Sequence, residues 1–423
     1  MIRTSTLTVV ALFIAGCGES ALPSSPDAST PDARVVDAPA VPRDLGARDI
    51  TAADAPVVED VTAPVDAGPP VARDYEANLE GPQEVPAVHD STATGRFTLH
   101  VEADRARAHW TLAHTVVGAT GAALRFAWPG EVGTSAVELD SASDGAEGDL
   151  DLTPALADAI EAGRLAVELR SALRVGGELR GQVVRPGESV YVSTLSGDQG
   201  TSTVATSPAR GGAAFFIDRA TRRARYAVRL VDVEPTVVDL HDGPALGRGP
   251  SLVTLAVRGA GASGEVVLPE AALAALDRGR LFVDAHSAGY PEGATRGQVL
   301  RPGEEIYAAR LTGQSFPQPR ATWGWGFASV IVSADRRSLT VDGGWVDVTP
   351  VGATLVDAPD DLDGTTWGTL EIADGRLATP ALTPARTTAL FEALSQGRIY
   401  VSLASETFPA GEVRGRLRRR PAD

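Results

Sequence analysis

Four residues in the middle of the chain have the types and spacing to hold a metal ion. They are Asp239 and His241 in Asp-Leu-His, and Asp284 and His286 in Asp-Ala-His. Side chains at i and i+2 of a β-strand point to one face. Each pair therefore presents a carboxylate and an imidazole together, and two neighbouring strands would bring all four into one cluster. Two imidazoles with carboxylates suit zinc, or copper in its oxidised state. The same groups can also form a hydrogen-bonded polar cluster without metal, and spacing alone does not choose between them. Outside this cluster no cofactor is expected. A second candidate is the alternating row Trp323, Trp325 and Phe327. Core packing is the default for such a row, and an exposed aromatic platform for a glycan or a protein is the alternative.

Composition removes many other chemistries. The net charge is −17, which argues against a nucleic-acid partner that would need basic surface. The 38 basic residues are all Arg, so a Schiff-base lysine and a P-loop lysine are both excluded. The single cysteine, Cys17, allows neither an internal disulfide nor a cysteine-based zinc site. No Gly-x-Ser-x-Gly elbow, His-Glu-x-x-His motif or phosphate loop occurs. No catalytic constellation is present, and the protein is not expected to be an enzyme. His89, His100, His109 and His114 match no compact metal spacing and read as surface or sheet residues.

The elements that position the candidates come in three copies. Glu178-Leu-Arg-Gly-Gln-Val-Val-Arg-Pro-Gly-Glu188 returns as Ala294-Thr-Arg-Gly-Gln-Val-Leu-Arg-Pro-Gly-Glu304, and a divergent copy runs from Glu412 to Pro421. Arg180, Arg296 and Arg414 are thus spaced by 116 and 118 residues, a domain-sized period. Each Arg reads as one that pairs with a nearby acid at a strand end. Apolar–polar alternation marks strands such as Ala224–Leu230 and Ser329–Ser333. One short helix recurs before the Arg-Gly strand: Thr153-Pro to Gly163, Leu268-Pro to Gly279, Thr383-Pro to Gly397. Pro at the start and Gly at the stop fit helix-end preferences. Many short strands with Gly/Pro turns predict an all-β protein of three tandem antiparallel β-sandwich modules, each with one short helix.

At the amino terminus, Arg3 and the apolar run Leu7–Ile14 have the shape of an export signal. Ile14-Ala-Gly-Cys17 resembles the bacterial lipobox, which makes Cys17 the expected lipidation site. Gly18 follows, where an Asp would favour inner-membrane retention, so the outer membrane is the expected destination. Residues 18–73 are rich in Pro, Ala and Asp and lack aromatics, the composition of a disordered tether. The predicted division is 1–17 signal peptide, 18–73 tether, and modules 74–188, 189–304 and 305–423, the last divergent.

Two motifs carry a family resemblance. The module ending Gly-Glu-x-Arg-Gly-Gln and the opening Leu79-Glu-Gly-Pro-Gln-Glu-Val-Pro86 resemble the CHRD domain, the module named after chordin, over about residues 74–420. The resemblance implies an exported protein, with no particular ligand. It also implies His-x-His on a middle strand and a third His before the Arg-Gly strand. Asp239 stands where the first His is expected, while His241 and His286 match. In register, His286 becomes Arg170 and Ala404 in the other modules. The His241 position falls on Arg125 or Ala127 of module 1, which would allow an Arg125–Glu168 ion pair instead of the cluster. The sequence thus leads to a lipid-anchored, exported protein with a binding or structural role at the cell envelope. Its partner would be an extracellular or periplasmic protein or glycan. The alternatives are a metal-binding, possibly redox, protein through module 2 and a glycan-binding protein through Trp323 and Trp325.

Overall fold

The computed structural model describes residues 71–200, 207–358, 364–378 and 384–421. The expected export signal, Cys17 and the expected tether as far as residue 70 lie outside them.

Module 1 comprises β1 (Arg73–Glu80), β2 (Thr94–Val101), β3 (Arg107–His114), β4 (Ala119–Phe126), β5 (Thr134–Glu138), β6 (Ala146–Asp151), α1 (Pro154–Glu161), β7 (Leu165–Ser171) and β8 (Leu179–Gln182). Module 2 repeats the order with β9 (Glu188–Ser196), β10 (Arg210–Asp218), β11 (Arg223–Val231), β12 (Val237–Asp242), β13 (Ser251–Leu255), β14 (Gly261–Val267), α2 (Glu270–Asp277), β15 (Leu281–Ser287) and β16 (Tyr290–Gln298). Module 3 has β17 (Glu305–Thr312), β18 (Trp325–Val332), β19 (Leu339–Val346), β20 (Pro350–Asp357), β21 (Thr365–Ala373), β22 (Arg376–Ala378), α3 (Pro384–Ser395), β23 (Ile399–Ser405), β24 (Val413–Arg416) and β25 (Arg418–Arg420).

Modules 1 and 2 share one topology. Their sheets run β5-β4-β7-β8-β1-β2-β3-β6 and β13-β12-β15-β16-β9-β10-β11-β14. Each sheet curls around its own core, so the two layers of the expected sandwich are halves of a single barrel-like sheet. In module 2 a bridge between Val257 and Ala262 joins the two edges. In module 3, β18 pairs with β17 and closes the ring. Closure leaves few free edges on which other chains could pair.

Alternation fills each core. Val238 and Leu240 of β12, and Val283 and Ala285 of β15, are buried among Leu195, Phe215 and Leu276. Their neighbours Asp239, His241, Asp284 and His286 therefore occupy the opposite, outer face. The helices plug one end of each barrel. Thr153 caps α1 by accepting a hydrogen bond from the Leu156 amide at 3.2 Å. Each helix exits through a left-handed glycine, Gly163 at φ 70°, Gly279 at 65° and Gly397 at 64°.

Candidate functional site

β12 and β15 are antiparallel neighbours, with Asp239 opposite Asp284, Val237 opposite His286, and His241 opposite Phe282. That register brings the sequence candidates together. Asp239, His241 and His286 offer ligand atoms that all lie within 4.8 Å of one another. Asp284 stands outside this group of three and lies beside Arg296 in the ladder between β15 and β16. Burial pushes the Asp284 carboxyl up to about 6, despite the opposing pull of His286 and Arg296.

Both imidazoles are oriented by backbone. His241 Nδ1 is 3.1 Å from the Gly249 carbonyl oxygen, and His286 Nδ1 is 2.9 Å from that of Pro291. A carbonyl only accepts, so each Nδ1 donates, which in a neutral ring leaves the lone pair on Nε2. His241 Nε2 is buried with no hydrogen-bond partner and lies 3.9 Å from Asp239 Oδ2. Its ring stacks on Phe282 with centroids 4.9 Å apart. Burial lowers the His241 pKa and so favours the neutral, ligating form. The Thr254 hydroxyl donates to Asp239 Oδ1 at 2.7 Å. Oriented imidazoles and a hydrogen-bonded carboxylate are the supports that metal ligands require.

The repeated Arg does more than face an acid, although Glu168 and Asp284 do stand across the ladder from Arg180 and Arg296. Arg180, Arg296 and Arg414 are all buried. Arg296 donates through Nη1 to the Gly247 carbonyl at 2.5 Å and through Nη2 to that of Pro244 at 2.8 Å. Its guanidinium sits 3.4 Å from the centroid of the Phe282 ring. Arg180 likewise reaches the carbonyls of Glu131 and Val132, and Arg414 that of Ser315. The Arg is thus a staple for a loop whose backbone would otherwise lose its partners on burial. Neighbouring Gln298 donates to the carbonyls of Gly243 and Gly279. Residues 243–250 are held by both side chains and also supply Gly249, which orients His241. Sequence periodicity found the Arg but not its partners, because the direction of a loop carbonyl leaves no mark on residue spacing.

In module 1 the site has become an ion pair. Arg125 stands opposite Ala166 as His241 stands opposite Phe282, which settles the register on Arg125 rather than Ala127. Arg125 Nη1 lies 3.2 Å from Glu168 Oε1. Glu84 was not singled out by the sequence as a functional residue. It is buried, its Oε1 has no partner, and its carboxyl is pushed up to about 7 by burial and then by Glu168. The folded module therefore holds this proton while an unfolded chain releases it near the ordinary value of 4.5. Stability falls as pH rises from about 4.5 to 7, by up to about 3 kcal/mol. Glu84→Gln is expected to raise the urea midpoint more at pH 8 than at pH 4.5. Equal shifts at the two pH values would contradict this account.

The remaining candidates are placed as follows. Trp323 is 90% exposed and Trp325 40%, so neither belongs to the core, whereas Trp345 and Trp367 pack against it. His100 and His109 pair with Asp74 and Asp149 at the surface. His114 is buried and contacts the Ala142 carbonyl, and His89 contacts that of Ala334. At the module 3 positions that correspond to Asp239, Asp284 and His286 stand Thr354, Ser402 and Ala404.

The family model for the CHRD domain matches residues 75–183, 191–299 and 307–417. No curated protein matches the chain.

Proposed function

The chain belongs to the CHRD domain family, with three tandem copies that support a binding or structural role, and on that premise we propose that it binds a transition-metal ion in module 2. The observation that carries this reading is the buried, unpartnered Nε2 of His241, aimed into the space it shares with Asp239 and His286. A buried polar atom without a partner costs about 1–3 kcal/mol, and a metal ion removes that cost. Asp239, His241 and His286 would hold the ion, and two imidazoles with one carboxylate suit zinc or oxidised copper. With three protein ligands, such an ion keeps a position open for an exogenous ligand.

The rest of the reading comes from the sequence. Lipidation of Cys17 would anchor the protein at the cell envelope, in the outer membrane, with residues 18–73 as the tether. Among the described residues no helix is long and apolar enough to cross a membrane. Metal content after dialysis of the full chain against zinc or copper tests the central part. One ion per chain, lost in His241→Ala, supports it, and no retained metal contradicts it.

The exposure of Trp323 and Trp325 supports a second reading, a platform for an extracellular glycan. Trp323→Ala with Trp325→Ala is expected to abolish retardation in gels containing soluble polysaccharide. Trp323→Ala alone should leave thermal stability nearly constant, because Trp323 is 90% exposed. Unchanged retardation in the variant, or none in the unmodified protein, would exclude this reading.

A further inference from the structure

Modules 1 and 3 touch through His89 and the Ala334 carbonyl, and the two joints between consecutive modules are built from the same parts. At the first, α1 ends at Gly163, and the Phe216 ring of β10 fills the space that a Cβ there would occupy. At the second, α2 ends at Gly279, and Ile331 of β18 fills the corresponding space. A small apolar cluster surrounds each inserted side chain. Val184 and Trp128 of module 1 meet Val190, Ala214 and Phe216 of module 2. Leu300, Ala245 and Leu246 of module 2 meet Ile306, Ala308 and Ile331 of module 3. Charged clamps flank both. Arg225 binds Glu188 through two hydrogen bonds and donates to the Glu161 carbonyl of α1 at 2.8 Å. Arg280 bridges Asp242 and Asp342 at 2.7 and 2.8 Å.

Ladder register identifies the same positions on the two outward faces. Val190 lies opposite Phe216, and Ile306 opposite Ile331. In module 1 that pair is Asp74 and His100, both exposed, with His100 Nδ1 2.7 Å from Asp74 Oδ1. Ala308, buried in the second joint, has Glu76 as its counterpart. The residues that each module turns toward the next, Val184 and Leu300, bridge to Glu76 and Val192 of their own modules. In module 3 the residue in that place is Arg418, opposite Ala308 and exposed. Gln182 and Gln298, which tie down the helix-end glycines, become Arg416, whose Nε donates to the Tyr400 hydroxyl at 2.7 Å. Among the described residues nothing lies within 4 Å of where a Cβ at Gly397 would sit.

We propose that the outward faces of modules 1 and 3 are end caps: charged versions of the docking faces, which reject another copy of the module in the mode that joins the three. Docking either face would bury Asp74 and His100, or Arg418, against apolar groups that cannot pair them. Repeat arrays need polar outer faces of this kind to stay soluble.

The test opens one face at a time in the full chain, in a Cys17→Ser background that keeps lipid out. One variant carries Asp74→Val with His100→Phe, and the other carries Arg416→Gln with Arg418→Leu. Each is expected to sediment as the unmodified chain does, and an equimolar mixture is expected to form a one-to-one complex. Failure of the two folded variants to associate would overturn the proposal. So would head-to-tail association of the unmodified chain through Asp74 and Arg418, read by cross-linking.

Discussion

Replacing Arg296 by Met is expected to destabilise module 2 by about 3–5 kcal/mol, the usual cost of breaking a buried charged network by removing one partner. The substitution removes both hydrogen bonds to the Pro244 and Gly247 carbonyls and leaves those oxygens buried. It also removes the cation that faces the Phe282 ring and stands beside Asp284. Arg296→Lys should rescue little, because one ammonium cannot reproduce a planar fork that spans two carbonyls. Module 2 contains no Trp, so fluorescence would miss the event. Amide exchange in β12 and β15 reads it directly, with an expected acceleration of about 10²–10³-fold. Rates within a factor of about three of the unmodified protein would show that the staple carries no stability. Loss of the staple also frees residues 243–250, and with them the Gly249 carbonyl that fixes His241.

The second large effect concerns the ligands themselves. His241→Ala is expected to lower zinc affinity by more than about 100-fold, since loss of a supporting hydrogen bond alone costs 10–100-fold at comparable sites. His286→Ala should act similarly. Thr254→Val, which removes only the hydroxyl that holds Asp239, should fall within the smaller range. The graded series separates ligation from folding, because Thr254 is not a ligand and its substitution keeps the side-chain shape. His100→Ala serves as the control, with a surface imidazole paired to an acid but remote from the cluster. Competition titration with a chromophoric chelator measures all four. Equal affinities for His241→Ala and His100→Ala would show that metal binds elsewhere.

The sequence carried the scaffold well, and for a physical reason. Strand alternation, Pro–Gly helix limits and the repeated Arg-Gly phrase are local signals. Each dictated what the structure shows, down to the Thr153 cap and the left-handed Gly163. The placement of Asp239, His241 and His286 on one outer face followed from the two-residue period alone. Local signals could not reach three things. Asp284 obeys the same period, but its distance from the other three depends on the ladder with β16 and on Arg296. Glu84 gains its raised pKa from burial beside Glu168, a residue 84 positions away in the chain. The docking of Phe216 on Gly163 needs the relative placement of two modules, which no single-module pattern encodes.

Comparison of the copies then locates the chemistry. The buried Arg and the helix-end glycine persist through all three modules, while the outer face of the two middle strands changes from Arg125–Glu168 to the His/Asp set to Thr354 and Ser402. A scaffold is kept for packing, and the position that varies is where a ligand can be chosen.

X-ray absorption at the zinc edge, on the full chain loaded with one equivalent of zinc, tests this most directly. The account predicts a bound ion with the scattering signature of two imidazoles and at least one carboxylate oxygen. A first shell without imidazole, or zinc that washes away on dialysis, would contradict it.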